Sequence, residues 1–208
     1  MLISRKYNFL FVHIYKNAGT SITKALRPFV LNPSQRRIRN GLKKIGAPFS
    51  FFDPQPFPDN IKASEIIDFL CYEKFKSFYS FAIVRNPWDW QVSLYNYMLK
   101  TESHNQHELV KDLGSFEKYI EWRCENEIRF QRDFIYSENN ELLVNFVGKF
   151  ESLDADFKKI CSNIGISTSL PKLNVSNSKP YQNFYTERTE ELVRKSFQPD
   201  IETFNYEF

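Results

Sequence analysis

Short runs of apolar residues alternate along this chain with segments of helical periodicity. Residues 8–14 and Tyr79–Val84 are almost continuously apolar, a pattern typical of strands that are buried on both faces. A third strand is predicted within residues 141–147. The predicted helices are 20–26, 62–75, one that starts at Pro87, 115–131, 153–163 and 186–197. This alternation predicts an α/β fold, three-layer α/β/α with a mainly parallel central sheet.

Residues 28–60 interrupt this order with an irregular stretch. Six of the ten prolines fall between Pro28 and Pro58, and proline ends helices and disfavours central strands. A chain of 208 residues has room for one domain with an insertion. The expected organisation is a single domain over 1–208 with a Pro-rich insertion at about 28–60.

The composition is that of a globular protein, with 42% apolar and 25% charged residues. No stretch is long and apolar enough to predict a membrane span, and no signal peptide is expected. The three cysteines are widely separated and lack metal-ligand spacing, so reduced thiols and a cytoplasmic location are expected. No metal site is predicted.

The net charge of +3 conceals an uneven distribution. Residues 1–52 hold ten Lys or Arg and no acidic residue, whereas the remainder holds 18 basic and 25 acidic residues. A basic first quarter suggests an anionic ligand, the alternative being a solvated basic surface. The whole chain is too weakly basic to predict nucleic-acid binding.

The turn after the first predicted strand carries the residues of an anion site. A glycine at the bend lets the backbone approach a ligand, and the helix that follows offers free N–H groups and its positive dipole end. A lysine and two hydroxyls add further donors, although the Walker A spacing is absent. The alternative is a capped turn with an incidental lysine. The residues are Lys16, Asn17, Ala18, Gly19, Thr20 and Ser21.

A second candidate site follows the strand Tyr79–Val84. Arg85 leaves the carboxyl end of that strand, where ligands collect in α/β sheets, and Ser93 lies two turns into the next helix. A guanidinium can donate two parallel hydrogen bonds to a phosphate, and a nearby hydroxyl can donate another, so this pair is typical of a site for a phosphate monoester. The alternative is that Arg85 pairs with Asp89 and pins the start of that helix, which Asn86 is expected to cap.

Together the two segments resemble a known family. FVHIYKNAGTS followed by FAIVRNPWDWQVSLYNY is similar to the nucleotide-binding segments of the PAPS-dependent sulfotransferases, specifically the carbohydrate group typified by heparan and chondroitin O-sulfotransferases, including bacterial members. The stretch from VGKFESLDADFKKICSNIGI to the carboxyl terminus also resembles that family. The resemblance covers most of the chain except residues 28–60.

This resemblance implies a P-loop, nucleotide-kinase-like fold and an enzyme that transfers a sulfuryl group. The donor would be 3′-phosphoadenosine 5′-phosphosulfate (PAPS), the nucleotide product PAP, and the acceptor a hydroxyl of a carbohydrate or glycoconjugate. Residues 16–21 would hold the 5′-phosphosulfate, with Lys16 also catalytic, and Arg85 and Ser93 would hold the 3′-phosphate. The nucleotide would also contact Asn174, Ser176 and Lys179 in a late loop.

Two departures from the family pattern affect the catalytic assignment. Many relatives have Arg at the position of Trp90, and many carry a candidate catalytic His where this chain has Asn60. The candidate general bases are therefore Asp53 and His104; Asp59 and Glu65 lie in the same part of the chain as Asp53, and His107 lies in the same loop as His104. No His lies between His13 and His104, so either loop histidine would need its loop to fold back toward the site. For His104 and for His107, the alternative is an exposed loop histidine.

Two other functions stay open at this point. One is a nucleotide phosphotransferase of related fold, which the missing Walker A spacing disfavours. The other is a non-catalytic protein that binds PAP or a glycan. The oligomeric state is not predicted.

Overall fold

The computed structural model describes residues 1–30, 37–38, 41, 60–171 and 179–208. Most of the predicted insertion at 28–60 therefore lies outside the described residues. The elements in chain order are β1 (Leu2–Ser4), β2 (Phe9–Phe11), α1 (Gly19–Leu26), α2 (Ala63–Leu70), α3 (Tyr72–Lys76), β3 (Tyr79–Val84), α4 (Pro87–Lys100), α5 (His107–Leu113), α6 (Phe116–Asn126), β4 (Phe146–Lys149), α7 (Leu153–Asn163), α8 (Glu187–Ser196) and α9 (Gln198–Phe204). Short 3₁₀ turns occupy Arg27–Phe29, Arg132–Phe134, Phe150–Ser152 and Tyr181–Phe184.

The four strands form one sheet in the order β1-β2-β3-β4. Strand β1 pairs antiparallel with β2, with Leu2 opposite Phe11. Strand β2 pairs parallel with β3, with Leu10 opposite Ser80. Both β2 and β3 are almost entirely buried, as their continuous apolar runs predict. The α/β class is thus confirmed.

The chain separates into two compact units. The first comprises Met1–Ile83 and Phe134–Asn174, and the second comprises Val84–Asp133 and Val175–Phe208. The first unit has an apolar core whose buried side chains come from the sheet, α1 and α7. Its buried members include Leu2, Phe9, Phe11, Ile22, Leu26, Phe81, Ile83, Phe157 and Ile160.

The second unit has its own apolar interior. The Trp88 indole is fully buried on α4 and donates to the carbonyl of Glu190 at 3.0 Å. Trp90, which stands where many members of the family that the sequence resembles have Arg, is also fully buried and belongs to this interior. Other buried side chains in this unit are Tyr119, Ile120, Val193, Phe197 and Phe204.

Several predicted boundaries are wrong, each for a local reason. The predicted helix 62–75 breaks at Cys71, whose φ of 64° and ψ of 154° are incompatible with a helix. The predicted last helix ends at Ser196, and Pro199 then sits in the first turn of α9, where its missing N–H costs nothing. The helix predicted over 115–131 ends at Asn126, and β4 starts only at Phe146. The three-residue strand β1 was not predicted.

No helix in the described ranges is both long enough and apolar enough to cross a membrane.

Candidate functional site

The loop between β2 and α1 has an unusual backbone. Lys16 and Ala18 both have left-handed φ angles, 64° and 60°. Such angles cost a residue other than glycine about 1–3 kcal/mol and persist only where the surrounding structure imposes them. Left-handed residues are a feature of anion-binding nests, loops in which successive N–H groups converge on one point.

Helix α1 presents its N-terminus directly after this loop. Its N-cap, Ala18, has no side chain that can cap, and no acidic residue lies in the first turn. The orphan N–H groups of the first turn, together with the positive end of the helix dipole, favour an anion there. Thr20 is exposed and Ser21 half-buried at the same end, and Lys16 supplies a full positive charge. Donors and a positive charge therefore lie together in this loop, and binding of an anion by it stays a prediction.

Gly19 is required for a different reason from the one predicted. Its φ is not positive, so it does not form the bend itself. A Cβ built on Gly19 would lie 1.8 Å from Nε2 of His13. The imidazole of His13 therefore packs directly against the first residue of α1. His13 itself is half-buried beside the loop.

A buried amide ties the loop to the neighbouring strand. The side-chain Nδ2 of Asn17 donates to the carbonyl oxygen of Ile83 at 2.9 Å, and Asn17 is almost fully buried. The adjacent Tyr15 ring meets the Phe134 ring edge-on, with centroids 5.9 Å apart. These contacts hold the residues on either side of Lys16.

In the second unit, Arg85 immediately follows β3. Its Nε donates to Oδ2 of Asp89 at 2.7 Å, and its side chain is only 14% exposed. The pairing predicted as the alternative does therefore form. The bond restrains the orientation of the guanidinium. The role of Arg85 in binding an anion stays a prediction.

The start of α4 is built as predicted. The Asn86 side chain accepts from the N–H of Trp88 at 3.0 Å, and Pro87 occupies the first turn. The Asn86 amide also donates to the carbonyl of Glu207 at 2.7 Å. Ser93 is half-buried two turns further along α4. The backbone that carries Arg85 thus enters a well-capped helix.

The remaining nucleotide candidates lie in the late loop. Asn174 and Ser176 fall outside the described residues. Lys179 is exposed at the point where the description resumes. The structure therefore leaves their predicted contacts untested.

The two candidate bases differ in what the structure describes. Asp53 lies outside the described residues. The Nδ1 of His104 accepts the backbone N–H of Gln106 at 3.1 Å, and its ring meets that of Tyr97 edge-on. In the neutral ring this bond occupies the lone pair of Nδ1 and places the hydrogen on Nε2.

His107 is not an exposed loop residue. It opens helix α5, is only 9% exposed, and its Nδ1 lies 2.9 Å from the carbonyl oxygen of Met98. The polar residues around it concealed this short helix from sequence analysis. His107 therefore has a structural hydrogen bond within its own unit.

Comparison with known proteins identifies the family. The model of the sulfotransferase family matches residues 1–207, nearly the entire chain. No curated protein matches the chain. The chain belongs to the sulfotransferase family, and its activity is that of a transferase of sulfuryl groups.

Proposed function

We propose that this sulfotransferase transfers the sulfuryl group of PAPS to a hydroxyl of a carbohydrate or glycoconjugate. The observation that carries the proposal is the placement of Lys16 beside the N-terminus of α1, in a loop with two left-handed residues. Donor and acceptor classes follow from the resemblance of the two nucleotide-binding segments to carbohydrate sulfotransferases. The three-layer, nucleotide-kinase-like arrangement is part of the same proposal.

Residues 16–21 bind the 5′-phosphosulfate. The first-turn N–H groups of α1 and the hydroxyls of Thr20 and Ser21 donate to its oxygens, and Lys16 neutralises its charge. Each charge-assisted hydrogen bond contributes about 1.5–3 kcal/mol, so several suffice to hold a highly charged nucleotide.

Arg85 and Ser93 bind the 3′-phosphate. The planar guanidinium matches the geometry of phosphate oxygens, and its bond to Asp89 holds that plane in place. Asn174, Ser176 and Lys179 add contacts to the nucleotide from the late loop. This assignment makes the 3′-phosphate the feature that distinguishes PAP from other adenosine nucleotides.

Lys16 accelerates the transfer by stabilising the leaving group. The acceptor oxygen forms a bond to sulfur while the bond from sulfur to the bridging oxygen breaks, and PAP departs with the electron pair. Negative charge grows on that bridging oxygen, so a fixed cation there stabilises the transition state more than the ground state.

A general base takes the proton of the acceptor hydroxyl. Asp53 and His104 are the two candidates, and the bond from Gln106 to Nδ1 of His104 favours Asp53. Asp53→Asn and His104→Gln keep the size of each side chain, and the true base is the one whose loss abolishes the rise of activity with pH.

We also propose that the enzyme works in the reducing cytoplasm. Cys71, Cys124 and Cys161 are all free thiols.

The proposal is tested by following PAP release from PAPS in the presence of desulfated heparan or chondroitin chains. Lys16→Ala should lower the rate at least about 100-fold, as the loss of one transition-state donor does. Lys24→Ala is the matched control, because Lys24 is an exposed lysine in the last turn of α1, the helix that follows the Lys16 loop. Turnover by Lys16→Ala equal to that of Lys24→Ala would overturn the proposal.

A further inference from the structure

A buried glutamine holds the backbone of Arg85 from both sides. The N–H of Arg85 donates to Oε1 of Gln131 at 2.9 Å, and Nε2 of Gln131 donates to the carbonyl oxygen of Arg85 at 2.7 Å. Gln131 is fully buried, and all of these residues belong to the second unit. The side-chain amide thus pairs with Arg85 as a neighbouring strand would, just after β3 ends.

This pairing determines where the Arg85 side chain points. The N–H and the C=O of one residue belong to the two peptide planes on either side of its Cα. When both planes are held, φ and ψ are held, and the direction of the Cα–Cβ bond follows. The bond from Arg85 Nε to Asp89 then fixes the far end of the side chain.

Gln131 is itself held by a carboxylate. Oδ2 of Asp200 accepts the N–H of Gln131 at 2.7 Å, and Oδ1 accepts the N–H of Arg132 at 2.9 Å. Asp200 is fully buried in the first turn of α9. A buried carboxylate is costly, and it is retained here with both oxygens bonded to the chain that carries Gln131.

We propose that Gln131, held by Asp200, is a positioning residue for Arg85 and thereby sets the preference of the enzyme for 3′-phosphorylated adenosine nucleotides. The inference rests on the proposed function, in which Arg85 binds the 3′-phosphate. An Arg that points elsewhere loses that phosphate but leaves binding of the 5′ group unchanged. The ratio of affinities for PAP and adenosine 5′-monophosphate (AMP) reports the effect.

The experiment measures that ratio by calorimetric titration in four proteins. They are the unmutated chain, Arg85→Ala, Gln131→Ala and Gln91→Ala. Gln91 is the matched control, because it is also a fully buried glutamine of the same unit but accepts from the Tyr119 hydroxyl at 3.4 Å instead. Gln131→Ala should lower the ratio at least about tenfold, whereas Gln91→Ala should leave it unchanged.

Two further variants separate positioning from folding. Gln131→Glu keeps the shape and the acceptor for the Arg85 N–H but loses the donor to the Arg85 carbonyl. It should lower the ratio even if Gln131→Ala does not fold. The double variant Arg85→Ala/Gln131→Glu should lower the ratio no further than Arg85→Ala alone, because both changes act on the same interaction, that of Arg85 with the 3′-phosphate.

Each outcome decides the matter. If Arg85→Ala lowers the ratio and both Gln131 variants weaken PAP and AMP equally, Gln131 is only structural and this inference fails alone. If Arg85→Ala leaves the ratio unchanged, or neither nucleotide binds the unmutated chain, the proposed function fails and the inference with it.

Discussion

The side-chain amide of Asn17 donates to the carbonyl oxygen of Ile83 at 2.9 Å, which joins the loop after β2 to the strand β3. These residues are 66 positions apart in the chain. Backbone pairing with β3 also continues past the end of β2, since the N–H of Val12 donates to the carbonyl of Phe81 at 2.9 Å. The loop that carries Lys16 is therefore fastened to the sheet beyond the last residue of β2.

Replacement of Asn17 by alanine should destabilise the fold and the loop together. A buried carbonyl that loses its donor costs about 1–3 kcal/mol. Chemical denaturation of Asn17→Ala should show that loss in the free energy of unfolding. Asn163→Ala is the control, because Asn163 donates to the Tyr79 hydroxyl at an exposed position and should cost less than about 0.5 kcal/mol. Equal losses in the two variants would contradict the account.

Replacement of Gly19 by alanine should force the His13 ring out of place. The new Cβ would lie 1.8 Å from Nε2 of His13, and overpacking of this kind costs about 1–3 kcal/mol. Gly41→Ala is the control, because a Cβ on Gly41 meets nothing within 4 Å.

His13→Ala should remove most of the cost of Gly19→Ala. The double variant should be more stable than the sum of the single changes indicates, because the clash needs both side chains. Strict additivity of the two unfolding free energies would show that His13 does not pack against Gly19.

Replacement of Cys71 by glycine should stabilise the protein. Its φ of 64° and ψ of 154° lie in a backbone region that glycine adopts freely but that costs any other residue about 1–3 kcal/mol. The gain, reduced by the extra backbone entropy of glycine in the unfolded chain, should be about 1 kcal/mol. Cys71→Ala removes the same thiol without relieving the backbone, so thermal unfolding of that variant should show no such gain. A Cys71→Gly variant less stable than Cys71→Ala would be inconsistent with this backbone.

Asp200 should make stability fall as the pH rises. Burial raises the pKa of its carboxyl to about 6, although the hydrogen bonds from the backbone N–H groups of Arg132 and Gln131 partly lower this pKa. The folded protein then holds this proton to higher pH than the unfolded chain does. The bound proton therefore contributes to the free energy of unfolding. This contribution is fully present below about pH 4 and is lost as the pH rises through about 6, which lowers the free energy of unfolding by about 3 kcal/mol. The stability difference between the unmutated chain and Asp200→Asn, followed by denaturation across this range, should fall accordingly.

Asp156 provides the opposite sign for comparison. Burial raises the pKa of its carboxyl, but the Lys149 N–H, the Ser152 hydroxyl and the Lys159 ammonium together hold the pKa below its ordinary value. Its contribution is therefore present at neutral pH and lost as the pH falls. The stability difference for Asp156→Asn should decline toward acid, whereas that for Asp200→Asn should grow. Two differences that change in the same direction with pH would refute the assignment of Asp200.

Local patterns predicted the elements whose ends are encoded nearby. Helix α7 has the predicted bounds because Gly165, with a φ of 66°, follows its end. Strand β3 also matches its apolar run. The break at Cys71 was missed because a thiol gives no signal for a positive φ.

Long-range contacts were beyond any local pattern. The packing of His13 on Gly19 depends on how the chain folds back after β2. The pairing of Gln131 with Arg85 spans 46 residues and involves a glutamine with no distinctive neighbours. Sequence therefore pointed to Lys16 and Arg85 and to the pairing of Arg85 with Asp89, but not to the pairing of Gln131 with the Arg85 backbone.

The most direct test of the central claim is the thermal midpoint of the unmutated protein with PAP, AMP or Mg-ATP at equal concentration. A ligand at 100 times its dissociation constant stabilises by about 2.7 kcal/mol, roughly 5–10 °C for a chain of this size. PAP should raise the midpoint by several degrees more than AMP does, and it should do so without magnesium. Greater stabilisation by Mg-ATP, or none by PAP, would contradict the central claim.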